Sequence, residues 1–178
     1  MKNVTRSLIL ILALPVLGAC QTERMLAKCP STAILAETSS QSVFVAGKPM
    51  APENLAYRID TRRATTACSI DKDTNTADSS LELAFRGFRQ KDGAAASYTV
   101  PFFVAINDSD GKLVLKKTYS TTLVFQPGQT QVDFTQTIDS IPVKVARTKQ
   151  PFDYHLLVGF QLTKQQLDYN RKTNRYAE

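Results

Sequence analysis

Alternation of apolar and polar residues governs the chain from residue 81 onward. "LELAF" sets Leu81, Leu83 and Phe85 on one side, with Glu82 and Ala84 opposite, the two-residue period of a half-buried strand. The pattern slips at Gly87, where Phe88 falls on the wrong parity, and this predicts a bulge. "YTVPFFVAIND" then places Tyr98, Val100, Phe102, Val104 and Ile106 on one side, while Phe103 and Ala105 keep the other side apolar. A strand apolar on both faces is central in its sheet. Pro101, with no N–H to donate, belongs near a strand start or an irregularity.

Two further runs continue the pattern. "KLVLKKTYSTTLVF" places Leu113, Leu115, Tyr119, Leu123 and Phe125 inward, with Lys117 as the exception, and Val132, Phe134 and Ile138 alternate up to Ile141 and Pro142. "FDYHLLVGFQL" carries the cleanest stripe, Phe152, Tyr154, Leu156, Val158, Phe160 and Leu162. "KDGAAAS", "DSDG" and "QPGQ" separate these runs as turns. Upstream, "CPSTAILAE" reads as the first strand, residues 38–52 as a loop rich in Ser, Gly and Pro, and "LAYRID" and "ATTACSID" as two elements separated by "TRR". Near the end, Thr163 and Gln166 stand at capping-box spacing, predicting a short helix ahead of a basic tail.

Seven or eight strands without alternating helices predict a mainly β fold, an antiparallel β-sandwich of the immunoglobulin or fibronectin III kind with a short C-terminal helix. A small β-barrel is the alternative. The chain has no Trp, so the buried tryptophan of antibody domains is missing and the prediction concerns architecture alone. The expected organisation is a single β domain over residues 29–171, followed by a basic tail at 172–178.

The first twenty residues follow a different logic. Lys2 and Arg6 precede an apolar core from Leu8 to Leu17, the layout of a secretory signal. The apolar run ends at Ala19, well short of the ~20 residues that cross a bilayer core. "LGAC", Leu17 to Cys20, resembles the lipobox of bacterial lipoproteins. The resemblance implies a diacylglyceryl group on the Cys20 sulfur, cleavage in front of it, and acylation of the new amino group by a chain such as palmitate. Residues 1–19 are then the signal peptide and 20–28 a lipidated tether. Several buried acyl chains, at about 0.8 kcal/mol per CH₂, hold far more firmly than one. Gln21 stands where lipoproteins retained in the inner membrane often carry Asp, which favours the periplasmic side of the outer membrane over the inner membrane.

With Cys20 acylated, Cys29 and Cys68 remain as an even pair in an oxidising compartment, which predicts a disulfide. Closing a loop of about 40 residues is worth roughly 4 kcal/mol in the chain-entropy view. The formal charge of +6 loses Lys2 and Arg6 with the signal and becomes +4. That modest excess does not point to nucleic acid.

Candidate chemistry is sparse. His155 is the sole histidine, and parity places it with Asp153 and Leu157 opposite the apolar stripe, exposed and without a partner. "DKDTNTAD", Asp71 to Asp78, lacks the glycine and terminal Glu of a calcium loop and reads as a solvated turn. No nucleophile has a base in view, so the reading is noncatalytic, with no cofactor and no metal. Arg171, Lys172 and Arg175, interleaved with Asn170, Asn174 and Tyr176, form a cationic end that suits lipid head groups, peptidoglycan or an acidic protein surface, or is simply a solvated terminus.

"CPSTAIL", the Cys29 and Cys68 pair, "VPFFVAINDSDG" at 100–111 and "VGFQLTKQQLDYNR" at 158–171 together resemble a family of alphaproteobacterial lipoproteins without an assigned activity. The resemblance implies the location and the disulfide but no chemistry. The expected function is a lipid-anchored, noncatalytic interaction or assembly module at the outer membrane, binding an envelope protein through sheet edges or the C-terminal helix region. The alternative is an accessory binding protein for envelope polymers such as peptidoglycan.

Overall fold

The computed structural model describes residues 29–91 and 93–173. The signal, Cys20, the tether and Arg175 lie outside the described residues. Among the described residues, eight strands form two four-stranded sheets. One sheet has the order β1 (Ser31–Ile34), β8 (Tyr154–Phe160), β5 (Ala96–Asp108), β6 (Leu113–Phe125); the other has β2 (Ser40–Phe44), β3 (Leu55–Asp71), β4 (Thr76–Phe88), β7 (Gln131–Lys144). Among the described residues only the β1–β8 pair is parallel. The sheets do not close into a barrel, and the architecture is the expected sandwich with one C-terminal helix, α1 (Lys164–Thr173).

The alternating residues make the core. Leu81, Leu83 and Phe85 from β4 meet Val100, Phe102 and Val104 from β5, all nearly inaccessible to solvent. Phe85 sits at the junction, its ring 5.8 Å from those of both Phe102 and Phe160. Each such side chain contributes about 1.5–3 kcal/mol of burial. β5 lies between β8 and β6 as its two-sided apolar character requires, and the Lys116 ammonium covers the outer ring, Phe103, at 4.4 Å.

Pro101 lies inside β5 rather than at its start. Gln161 donates its N–H to the Pro101 carbonyl at 3.0 Å, but proline cannot return the bond. The Gln161 carbonyl is served instead by the side-chain amide of Gln41 at 3.3 Å. The missing donor therefore falls just past the end of β8, where a side chain replaces it.

Three local expectations are corrected. Residues 38–52 hold a strand, β2, whose "SQS" start is polar although buried: the helix bonds the backbone carbonyls of Ser40 and Ser42, and Gln41, opposite Ile59, donates its side-chain amide to the Gln161 carbonyl. The two elements read at 55–71 are one strand of 17 residues, kinked where the register shifts between Thr61 and Arg63. Gly87 carries no bulge: it stays in register between Ile59 and Val132. It occupies an inward position where a Cβ would collide with Leu123 Cδ1. Phe88 is then properly outward, stacked with the Arg58 guanidinium 5.5 Å from its ring centroid.

Cys29 and Cys68 are joined by a disulfide with Cα atoms 5.7 Å apart. It ties the start of the domain to the far end of β3. α1 begins with the expected capping box, in which Gln166 N–H donates to Thr163 Oγ1 at 3.2 Å and Thr163 N–H donates to Gln166 Oε1 at 2.9 Å. No helix among the described residues is long and apolar enough to cross a membrane.

Candidate functional site

A sandwich that stays open has free strand edges, and each must be covered or broken if it is not to pair with another chain. Hydrogen-bond direction shows which backbone groups face those edges. On β2, Thr61 N–H donates to the Ser39 carbonyl, so the odd residues face β3 and the even ones face outward. α1 covers those outward groups. Asn170 Nδ2 donates to the Ser40 carbonyl at 2.8 Å, and Gln166 Nε2 donates to the Ser42 carbonyl at 3.1 Å. Residues four apart on a helix rise about 6 Å, close to the roughly 6.6 Å between residues two apart on a strand, so one helical turn matches one strand repeat. Tyr169 closes the far side against Phe44, ring centroids 4.9 Å apart.

The β7 edge is broken differently. Val145 N–H donates to the Asn75 carbonyl, so the even residues at this end of β7 face outward. Pro142 occupies one of those positions, where its lack of an N–H costs no bond with β4. The register also shifts opposite Ser79 and Leu81. β1 is four residues long and offers little to pair with.

Among the described residues, the β6 edge has no helix over it and no proline in it; its register shifts only at its start, between Leu113 and Leu115, and is regular from Leu115 onward. Because Pro101 faces β8, the odd residues of β5 bond β8 and the even ones bond β6, through Leu115, Lys117, Tyr119 and Thr121. The N–H and C=O groups of Lys116, Thr118, Ser120 and Thr122 therefore face away from the sheet. Ser120 confirms the direction, its carbonyl accepting from Gln136 Nε2 of β7 at 3.3 Å. Below that bond, every residue from Leu113 to Thr118 is exposed on both faces. Leu115, expected inward, has the correct parity opposite Ile106, but at this end no opposing sheet covers it; Leu113, also expected inward, is carried to the other face by the register shift at Val114, which sets it opposite Asn107. Leu113, Val114 and Leu115 are 56, 45 and 40% exposed, and Lys116 and Lys117 follow them. The sequence signal was available: two adjacent lysines interrupt the alternation at the start of a strand whose second half is regular.

The residues singled out from sequence do not converge on one place. Arg171 is committed to Glu37, whose carboxylate it meets at 2.7 Å, and this contact holds the Glu37 carboxyl below its ordinary range. Lys172 stands exposed one residue on, in the last turn of the helix. His155 is half-buried and has a partner after all, because β1 pairs in parallel with β8 and brings Ser31 opposite it; Ser31 Oγ lies 2.6 Å from Nδ1. That pair sits between adjacent strands, and among the described residues no carboxylate hydrogen-bonds the ring. Asp71 is the hinge of a turn, accepting from the Asp73 and Thr74 N–H groups and from Thr74 Oγ1, which hold its carboxyl below the ordinary range. Among the described residues no three His, Cys, Asp or Glu are grouped to hold a metal.

Compared with family models, with curated proteins and with solved structures, the chain matches none of them.

Proposed function

We propose that this protein is a noncatalytic envelope module, acylated on Cys20 and held at the periplasmic side of the outer membrane, that binds a protein partner by strand addition to the free edge of β6. The observation that supports this reading is the contrast between edges: β2 is covered and β7 carries a proline and a register shift, whereas β6 keeps regular register from Leu115 onward and turns the backbone groups of Lys116 and Thr118 outward beside the exposed side chains of Leu113, Val114 and Leu115. Backbone pairing supplies affinity in such a contact, and side chains at alternate positions supply selectivity. Lys116 and Lys117 fit a partner strand that is apolar at one end and acidic at the other. The resemblance of "LGAC" to a lipobox supports the anchor.

Two experiments test the halves separately. Cys20→Ala should abolish incorporation of labelled palmitate and leave the unprocessed precursor; continued labelling would contradict the anchor. A photo-reactive residue at Val114 in intact cells should give protein adducts, and one at Thr135, on the outer face of the other sheet, should not. Glycan adducts in place of protein at Val114 would favour the alternative role as a binding protein for envelope polymers.

A further inference from the structure

The register of the strands places one set of loops at the end where the chain enters the domain. Ser31 pairs with His155, Tyr154 with Asp108, and Thr76 with both Asp71 and Lys144. Cys29, the β3–β4 turn, the β5–β6 turn and the loop from β7 to β8 therefore share one pole. The other pole holds Ala96, Phe125 and Gln131, roughly 40 Å away along strands of 13 residues. Nine peptide steps separate Cys20 from Cys29, and at their fullest extension they span about 30 Å. The disulfide to Cys68 fixes where that span begins, two residues from Ile70.

A groove of about 450 Å³ opens at this pole, lined by Ile70, Phe152, Pro151, Lys72 and Arg147 and by no acidic residue. Ile70 is 39% and Phe152 50% exposed, an unusual outlay of apolar surface at a strand end and in a short turn. Most carboxylates of this pole are engaged within the protein. Asp71 closes its own turn, Asp108 and Asp110 hold Lys149 at 3.0 and 2.7 Å, and Asp153 accepts from the Gln150 N–H. Lys72 and Arg147 are exposed beside the apolar pair.

We propose that this pole docks on the phospholipid leaflet that holds the anchor, with Phe152 and Ile70 at the headgroup level and Lys72 and Arg147 on anionic phosphates. The proposal rests on the lipoprotein reading, because the short span to Cys20 is what brings this pole to the leaflet and keeps the other away. Tethering also makes the contact intramolecular, so a small patch suffices at an effective concentration of order mM. Docking would stand the β6 edge upright from the membrane, with the free segment that begins at Leu113 at its membrane-proximal end.

The chain has no Trp, so Phe152→Trp installs the sole indole. The mature acylated chain is reconstituted into vesicles of phosphatidylethanolamine and phosphatidylglycerol with brominated acyl chains, and Val124→Trp, at the opposite pole, serves as the comparison. Emission at position 152 should fall at least twofold relative to unbrominated vesicles, emission at 124 should not change, and adding Lys72→Gln with Arg147→Gln should reverse most of the fall. Flotation with the vesicles but unquenched emission at 152 would overturn the docking and leave the anchor standing. Equal quenching at both positions would overturn it too, as would emission at 152 that responds to protein concentration and not to bromine, which marks a second copy as the occupant. Failure of the wild-type chain to acquire acyl label would overturn the anchor and the docking together.

Discussion

Asn170 donates its side-chain amide to the backbone carbonyl of Ser40 at 2.8 Å, joining residues 130 apart in the chain. The same amide reaches the Glu37 carbonyl at 3.0 Å, and Asn170 is fully buried. Asn170→Ala would leave two carbonyls without their donor and should cost about 1–3 kcal/mol. Gln166→Ala, at a half-buried position, removes the donor of one carbonyl and the exposed capping bond from Thr163 N–H, and should cost less. Chemical denaturation of both variants checks the order. Asn170→Ala should also expose the β2 edge, read out as concentration-dependent association absent from the parent.

The disulfide closes a loop with a sequence separation of 39. Cys29 and Cys68 should resist alkylation in periplasmic protein until it is reduced. Reduction should remove roughly 4 kcal/mol, about 10 °C of melting temperature for a domain of this size. Reactive thiols on both residues in freshly isolated, unreduced protein would contradict the pairing.

Asp108 and Lys149 clamp the β5–β6 turn to the loop before β8. A hydrogen bond from Lys149, aided by the N–H groups of Lys112 and Asp110, holds the Asp108 carboxyl below its ordinary range. Hydrogen bonds from Asp110 first and Asp108 next raise the Lys149 ammonium above its own. A depressed acid contributes stability that is present above its unfolded pKa and lost as pH falls through the folded one. A raised base contributes stability that is present below its unfolded pKa and lost as pH rises through the folded one. The clamp therefore holds across neutral pH and loosens at both extremes. The Lys112 amide, 2.9 Å from Asp108 Oδ1, reports this directly. Its chemical shift should titrate with a midpoint below about 3.9, and Lys149→Met should move that midpoint upward. An unmoved midpoint would show that Lys149 does not set the carboxyl.

Much of the core was legible in sequence because burial on one face of a strand imposes a period of two, and Leu81 to Phe85, Tyr98 to Ile106 and Tyr154 to Phe160 obey it. The capping box was legible because it is local. β2 was not, since the polar Ser40, Gln41 and Ser42 are matched by groups that arrive 120 or more residues later, Gln166 and Asn170 on the serine carbonyls and the Gln161 carbonyl on the Gln41 amide, and only the fold shows those contacts. Gly87 misled because a glycine vacated for Leu123 and a glycine at a bulge look alike in one dimension. Ser31 and His155 meet through a parallel pairing that spacing along the chain does not announce. The free half of β6 was hidden for a related reason: Leu115 has inward parity, yet parity does not say where the facing sheet stops, nor that the register shifts at Val114 and turns Leu113 to the other face.

Thr118 turns its N–H away from β5, whereas Tyr119 turns its own toward it. Thr118→Pro therefore deletes a donor that only an added strand could use, while Tyr119→Pro breaks the sheet itself. The deciding measurement is photo-crosslinking from position 114 in cells carrying Thr118→Pro, alongside the melting temperature of the same variant. Strand addition at β6 predicts that the protein adducts disappear while melting shifts by no more than a few degrees. Adducts of undiminished yield from a folded Thr118→Pro protein would contradict it.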